Sequence, residues 1–404
     1  MIQLFKSKVY AAVTLGHLTI DVFNNSGSVL VAFFSKQASW AVWQYGLAVG
    51  AYQLFSALAQ PLFGWLADKV GSRWLGPGSV AWTISFMVLA VAVAQQTGNF
   101  WLFLVPFVLA SIGSSAFHPL GTKHAAEEAA LLAATGTAVF FLFGQTGLAA
   151  GPFLAGFILD KIGVIGLYVL GLVGIPLAIF MTVAMRHTLP ETASELQPSR
   201  STSPAVRKTV EWSTISVLAV LVAMRSWAFL GTVTFLPKLF QEMGWQATGY
   251  GLITTTYWMA SALAGVVAGR FADRYGRRQV LSITLLAGSI PLYFLPVASG
   301  WQAFPLAILV GGLLGASHSI LVVIAQSVLP GKKAFASGVT LGYLFGSGAI
   351  AAWIIGSLAN SWGLAPVIQA GTLAGLAAAG LSWLLPATRH AVDEPQPERV
   401  PARP

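Results

Sequence analysis

The chain has 404 residues, of which 56% are hydrophobic and only 9% charged, with a mean hydropathy of +0.74, against roughly 45–50% and 25% in an ordinary soluble domain; a soluble globular protein is excluded. Cysteine is absent, which excludes disulfides, thiolate metal sites and thiol catalysis. The excess of 22 Lys and Arg over 13 Asp and Glu suggests nucleic acid in a soluble chain, but in a membrane chain the sign of the charge reports topology.

One helical crossing of a hydrocarbon core about 30 Å thick takes roughly 20 apolar residues. Uncharged runs between charges and Gly/Pro turns predict six spans at 9–35, 43–66, 74–94, 100–122, 133–158 and 163–185. Six more are predicted at 213–237, 248–269, 279–298, 301–329, 334–358 and 363–385. The first span follows Lys6 and Lys8, is too long for a signal-peptide apolar region and contains Asp21, so it reads as a mature helix. Residues 186–212, rich in Ser, Pro and Thr, read as a flexible linker between a bundle over 1–185 and a second over 213–385. The polar, Pro-rich residues 386–404 read as a disordered cytoplasmic tail.

With the N-terminus in the cytoplasm, eighteen of the 22 basic residues fall in cytoplasmic segments. Lys36, Lys161 and Lys238 fall outside, and Arg225 lies within a span. This positive-inside bias supports an even number of spans and cytoplasmic termini in a bacterial-type inner membrane. The halves also repeat each other. YGLAVGAYQLFSALAQPLFGWLADKVGSRWL from Tyr45 returns as YGLITTTYWMASALAGVVAGRFADRYGRRQVL from Tyr250, and His118 matches His318 farther along. Order kept at a nearly constant offset points to duplication of a six-helix unit in one orientation. The fold expected is therefore an all-α integral membrane protein with twelve transmembrane helices in two pseudo-symmetric six-helix bundles.

Three motifs carry a family resemblance. Gly64, Leu66, Ala67, Asp68, Gly71 and Arg73, with their copy at Gly269, Ala272, Asp273, Gly276 and Arg277, resemble the loop signature of the major facilitator superfamily. Gly144, Gly147, Gly151, Pro152 and Gly156 are similar to the Gly-Pro motif of its drug:proton antiporters. His17 and Asp21, with Ser114, Ser115, Phe117, His118 and Pro119, resemble the fosmidomycin-resistance group of efflux pumps. The resemblance implies alternating access by rocking of two bundles, around a central cavity lined by spans 1, 4, 7 and 10.

Asp21 and Arg225 are the two charges left well inside the spans. Each costs from about 2.5 to over 10 kcal/mol at a bilayer centre, so neither faces lipid. They fall at nearly matching depth in spans 1 and 7, and a contact across the cavity is expected; the plainer alternative is a static ion pair that fixes packing. His17 lies one turn before Asp21, and an imidazole titrates near pH 6.5, so Asp21, His17 and His118 are the candidate proton-coupling residues. The candidate substrate-binding residues are Arg225, His118, His318, Asn25, Gln145, Gln326, Trp227 and Trp258. Asn24 and Ser28 share the polar stripe of span 1 and read as interhelical hydrogen bonds of about 0.6 kcal/mol.

Gating is expected from Gly64, Asp68, Gly71, Arg73, Gly269, Asp273, Gly276 and Arg277. Their two aspartates act as latches against a helix N-terminus and a nearby arginine while the cytoplasmic side is closed. Gly147, Gly151 and Pro152 allow close approach and bending of helices.

No phosphate-binding loop, HExxH or GxSxG occurs, so no enzyme, metal site or cofactor is expected and the energy comes from an ion gradient or the substrate's own gradient. The function expected is proton-coupled export of a small anionic or amphiphilic compound; the alternative is a symporter or facilitator importing a small organic anion or sugar. The expected partners are that small molecule, protons and the lipid bilayer, with no nucleic acid, for a protein working as a monomer.

Overall fold

A computed structural model describes residues 4–129, 133–188, 211–329 and 333–386. Most of the linker read at 186–212, nearly all of the tail read at 386–404, and the side chain of Asp68 lie outside the described residues. The described residues form twelve long helices and no strand. The first six are α1 (Lys8–Gln37), α2 (Val42–Val70), α3 (Ser72–Thr97), α4 (Phe100–Glu128), α5 (Ala133–Lys161) and α6 (Val164–Ala184). The second six are α7 (Trp212–Glu242), α8 (Ala247–Tyr275), α9 (Arg277–Phe294), α10 (Ala303–Val328), α11 (Lys333–Trp362) and α12 (Leu364–Ser382).

Ten of these are long and apolar enough to cross a membrane. The other two, α1 and α2, carry the polar residues that lower their hydropathy, and α1 hides its own: His17 is 3% and Asp21 4% exposed. The duplication is visible in the backbone. Gly71 and Gly276 turn the chain between α2 and α3 and between α8 and α9 with φ of 76° and 95°; Gly163 and Gly363 do the same before α6 and α12 with φ of 78° and 80°. A side chain at these turns would be strained, which explains why glycine stands at both copies.

Successive helices alternate in direction within each half, and the packing of the start of α2 on the end of α11 and of the end of α5 on the start of α8 aligns the halves, so α1 starts and α6 and α12 finish on one face, called here the terminal face. Toward the opposite face the two bundles are sealed by close backbone packing. A Cβ on Gly46 of α2 would stand 2.6 Å from Ala352 O of α11, and one on Gly50 2.8 Å from Ala349 O. The second seam repeats the device, with Gly251 of α8 against the Pro152 carbonyl of α5, and Gly156 against that of Ala247. Polar bonds cross the same end. Tyr45 Oη donates to Thr234 O (2.5 Å), Lys238 Nζ to Ser35 Oγ (3.2 Å), and the Gln241 amide to Ala32 O.

Toward the terminal face the seams end. Gly265 and Gly269 of α8 and Gly342 and Gly346 of α11 have open space where a Cβ would go, and Gly64 of α2 meets only Pro119 of its own bundle. Among the described residues the bundles are therefore closed on each other at the far face and parted at the terminal face.

Asp160, at the end of α5, caps α8 across the sealed seam: its carboxylate accepts from Ala247 N (3.1 Å) and Thr248 N (2.6 Å). A carboxylate at a helix N-terminus contributes about 0.3–1 kcal/mol at an exposed site, and about 1 kcal/mol is roughly fivefold in an equilibrium. Asp160→Ala is expected to raise far-side opening by about that factor. Labelling of a cysteine placed at Gln53, inside the α2 seam, by a membrane-impermeant maleimide measures it; an unchanged labelling rate would refute the cap as a latch.

Candidate functional site

The first bundle encloses a polar cluster built on α1. His17 and Asp21 are one helical turn apart, so their side chains meet on one face, with His17 Nε2 3.2 Å from Asp21 Oδ2. From α4, His118 Nε2 approaches the other carboxylate oxygen, Oδ1, at 3.4 Å. The two imidazoles meet edge to face, 5.1 Å between centroids. Gly144 of α5 makes room for this: the His17 ring occupies the space its Cβ would take. The same ring stacks on Phe140 at 4.0 Å. Gly147 and Gly151 let the α1 backbone approach α5 directly below, against Leu18 O and Val22 O. The cluster is closed to solvent except at His118, whose side chain is 25% exposed.

The tautomers follow from the neighbours. His17 Nδ1 lies 2.9 Å from Phe140 O and His118 Nδ1 2.8 Å from Ser114 O. A carbonyl only accepts, so both Nδ1 atoms carry hydrogen and both Nε2 atoms face the carboxylate. Asn24, one turn beyond Asp21, donates from Nδ2 to Asp21 Oδ1 (2.9 Å) and to Ser114 Oγ (2.9 Å). Tyr52 of α2 completes the shell by donating to Asn24 Oδ1 at 2.6 Å.

The second bundle holds the other intramembrane charge. Arg225 is fully buried. Its Nε donates to Ser317 Oγ (2.8 Å) and its Nη2 to Leu314 O (3.3 Å), while its guanidinium lies 4.3 Å over the Phe229 ring. Its Nη1 has no hydrogen-bond partner among the described residues. Directly after it, Trp227–Gly231 is wound as a π-helix, a local irregularity frequent at functional sites.

The contact expected between Asp21 and Arg225 is not formed. Each charge takes its partners inside its own bundle, the carboxylate from two imidazoles and Asn24, the guanidinium from α10. With the bundles parted toward the terminal face, short-range groups on the same or a neighbouring helix outcompete a partner across the gap, because a buried charge must be satisfied locally.

Among the remaining sites, Asn25 donates to Leu148 O of α5 and is spent on helix packing; Asn24, read from sequence as packing, is the residue that joins the cluster. Trp258 stands edge-on to Phe229 at 5.7 Å, beside Arg225, whereas Trp227 packs against Gly371 of α12. His318 is half-buried on α10, its ring 6.4 Å from Phe345. Gln145 is exposed on α5 and Gln326 half-buried on α10. Arg73 lies over Trp74 at 5.0 Å and Arg277 is half-buried. Asp273 is exposed and makes no ion pair among the described residues, at the end where the bundles have parted. Ser114 and Tyr52 carried no signal for a site role: Ser114 lay inside a quoted motif without one, and Tyr52 is brought in only by the packing of α2.

The sequence profile described as Major Facilitator Superfamily matches residues 13–246 and 217–404. The chain belongs to this superfamily. It is a membrane transporter and not an enzyme. The Fosmidomycin resistance protein of Escherichia coli (strain K12) is 25% identical over 87% of this chain and 86% of its own length. An uncharacterized transporter of the superfamily from Bacillus subtilis (strain 168), YfnC, is 28% identical over 92% and 90%. Among solved structures, a bacterial homologue of the human lysosomal transporter Spinster, in an inward-facing and unoccupied conformation, has a TM-score of 0.73 at 16% identity, covering 94% of this chain and 96% of that one.

Proposed function

We propose that this transporter is a proton-coupled exporter of a small anionic or amphiphilic compound, working as a monomer in a bacterial inner membrane with both termini in the cytoplasm. The observation that carries this reading is the buried cluster of Asp21 between His17 and His118. With both Nδ1 hydrogens donated to carbonyls, neutral imidazoles turn lone pairs toward the carboxylate, which is repulsive; a proton on Nε2 turns each contact into a charge-assisted hydrogen bond. The cluster is thus stable loaded and unstable empty, which is what a carrier of protons needs.

The substrate side of the reading rests on Arg225. Its unpartnered Nη1 offers a charged donor in a dry setting, where an anionic group gains the bond the protein leaves unmade. Phe229 and Trp258 beside it supply apolar surface for an amphiphilic body. In the proposed cycle the substrate enters from the terminal, cytoplasmic face, the open end in this conformation, and reaches Arg225. Closure of that face and opening of the far seams release it outside, where protons load the cluster; the loaded cluster then stabilises the return. The similarity to a protein named for drug resistance supports the outward direction.

The test is flux in proteoliposomes holding the purified protein. An imposed pH gradient is expected to drive an organic anion against its concentration gradient, and a protonophore to abolish that movement. Cells expressing the protein should be depleted of the compound. Accumulation in its place would overturn export in favour of uptake, and flux indifferent to the protonophore would remove proton coupling.

A further inference from the structure

The same cluster has the donor set of a metal centre. Two imidazole nitrogens and one carboxylate oxygen, from His17, His118 and Asp21, all lie within 4.8 Å of one another. First-row divalent ions bind such groups at about 2.0–2.2 Å in tetrahedral sites, which sets ligand-to-ligand edges of roughly 3.3–3.6 Å by the same geometry. Here His17 Nε2 is 3.2 Å from Asp21 Oδ2 and His118 Nε2 is 3.4 Å from Asp21 Oδ1, so the rings approach opposite oxygens of one carboxylate, and a small turn of that carboxylate with closing of the rings seats an ion between them.

The outer shell fits the same purpose. Each imidazole donates its Nδ1 hydrogen to a backbone carbonyl, Phe140 O or Ser114 O, which leaves Nε2 as the ligand atom and locks the ring, the arrangement that metal-bound histidines show almost without exception. Asp21 Oδ1 is held in turn by Asn24, itself fixed by Tyr52. Three protein ligands leave a fourth position for water or substrate, and the half-buried His118, its side chain 25% exposed, is the member of the set that solvent reaches. Neutral nitrogen and carboxylate ligands without thiolate or a ring of carbonyls favour Zn²⁺, Co²⁺ or Ni²⁺ over Mg²⁺ or Ca²⁺.

We propose that His17, Asp21 and His118 form a binding site for a first-row divalent transition ion of the Zn²⁺ type, which takes the place of the protons between the imidazoles and the carboxylate and reaches it from the terminal face. The inference needs only the ligand geometry and holds whether or not protons drive the flux.

The experiment uses the full-length, tag-free protein in detergent, stripped with a chelator, with no pH gradient present. Titration with Zn²⁺ by calorimetry, and with Co²⁺ followed by its visible ligand-field bands, is expected to give one site per chain with the spectrum of a four-coordinate ion. His118→Gln and Asp21→Asn should each weaken binding at least tenfold. His124→Ala, which removes the separate pair of His124 Nδ1 with Glu127 Oε2 (3.2 Å), should leave it unchanged. No binding, or binding indifferent to His118→Gln in a variant whose melting temperature matches the parent, overturns the proposal; flux results do not bear on it.

Discussion

Asp21→Asn is expected to abolish transport driven by a pH gradient while leaving the protein folded. The substitution keeps the shape of the side chain, and its amide donates to an imidazole Nε2 lone pair without needing a proton there. The oxygen still accepts from Asn24. The contact with His17 is then satisfied without a proton, and the negative charge that draws protons to both imidazoles is gone. Hydrogen bonds to charged groups contribute about 1.5–3 kcal/mol each, so losing the charge at this one position corresponds to a fall in coupled flux of roughly ten- to a hundredfold. Melting temperature in detergent should hold or rise, because a buried carboxylate is costly to keep. Gradient-driven flux at the parental rate in Asp21→Asn proteoliposomes would show that the coupling site lies elsewhere.

The double variant Gly46→Leu with Gly251→Leu is expected to invert the conformational preference. Both glycines sit where one helix backbone rests on another: a Cβ at 46 would be 2.6 Å from Ala352 O and 3.0 Å from Gly356 Cα, and one at 251 would collide with the Pro152 carbonyl. Backbone cannot yield as a flexible side chain can, so the leucines must hold the seams apart. Overpacking costs about 1–3 kcal/mol per site, and two sites approach the ~5.5 kcal/mol that carries a two-state population from 99:1 to 1:99. The strain is relieved by the opposite tilt of the bundles, which separates the same surfaces. Because the native chain has no cysteine, one introduced at Gln53, whose amide reaches Thr234 Oγ1 across the seam at 3.3 Å, is a sole reporter. Its labelling from the far side should rise by more than tenfold, with transport lost. Unchanged labelling would mean that the glycine contacts do not hold the far face shut.

Much of this architecture is legible before any coordinates. Spans are written locally, since each must keep its own backbone bonds and apolar surface within one stretch of chain. The turn glycines at 71, 163, 276 and 363 announce the duplication for a similar local reason. Face assignment is harder. Neighbouring residues on a helix point about 100° apart, so Asn24 and Asn25 fit the same stripe equally well on paper. Only the placement of α5 against α1 turns Asn25 toward Leu148 and Asn24 toward Asp21. Tyr52 enters the cluster from α2 for a reason no window of sequence contains.

The sequence by itself determined the membrane fold, the twelve crossings, the two intramembrane charges and the histidines beside one of them, because transfer free energy acts residue by residue along the chain. Only the tertiary structure decided that Asp21 is held by His17 and His118 and that Arg225 is kept apart with Ser317. It also decided that the far face is shut while the terminal face is open. Partner choice for a buried charge depends on which helices are close enough to satisfy it, and the two tilts of the bundles are alternative packings of one sequence, with contacts that no pattern along the chain distinguishes.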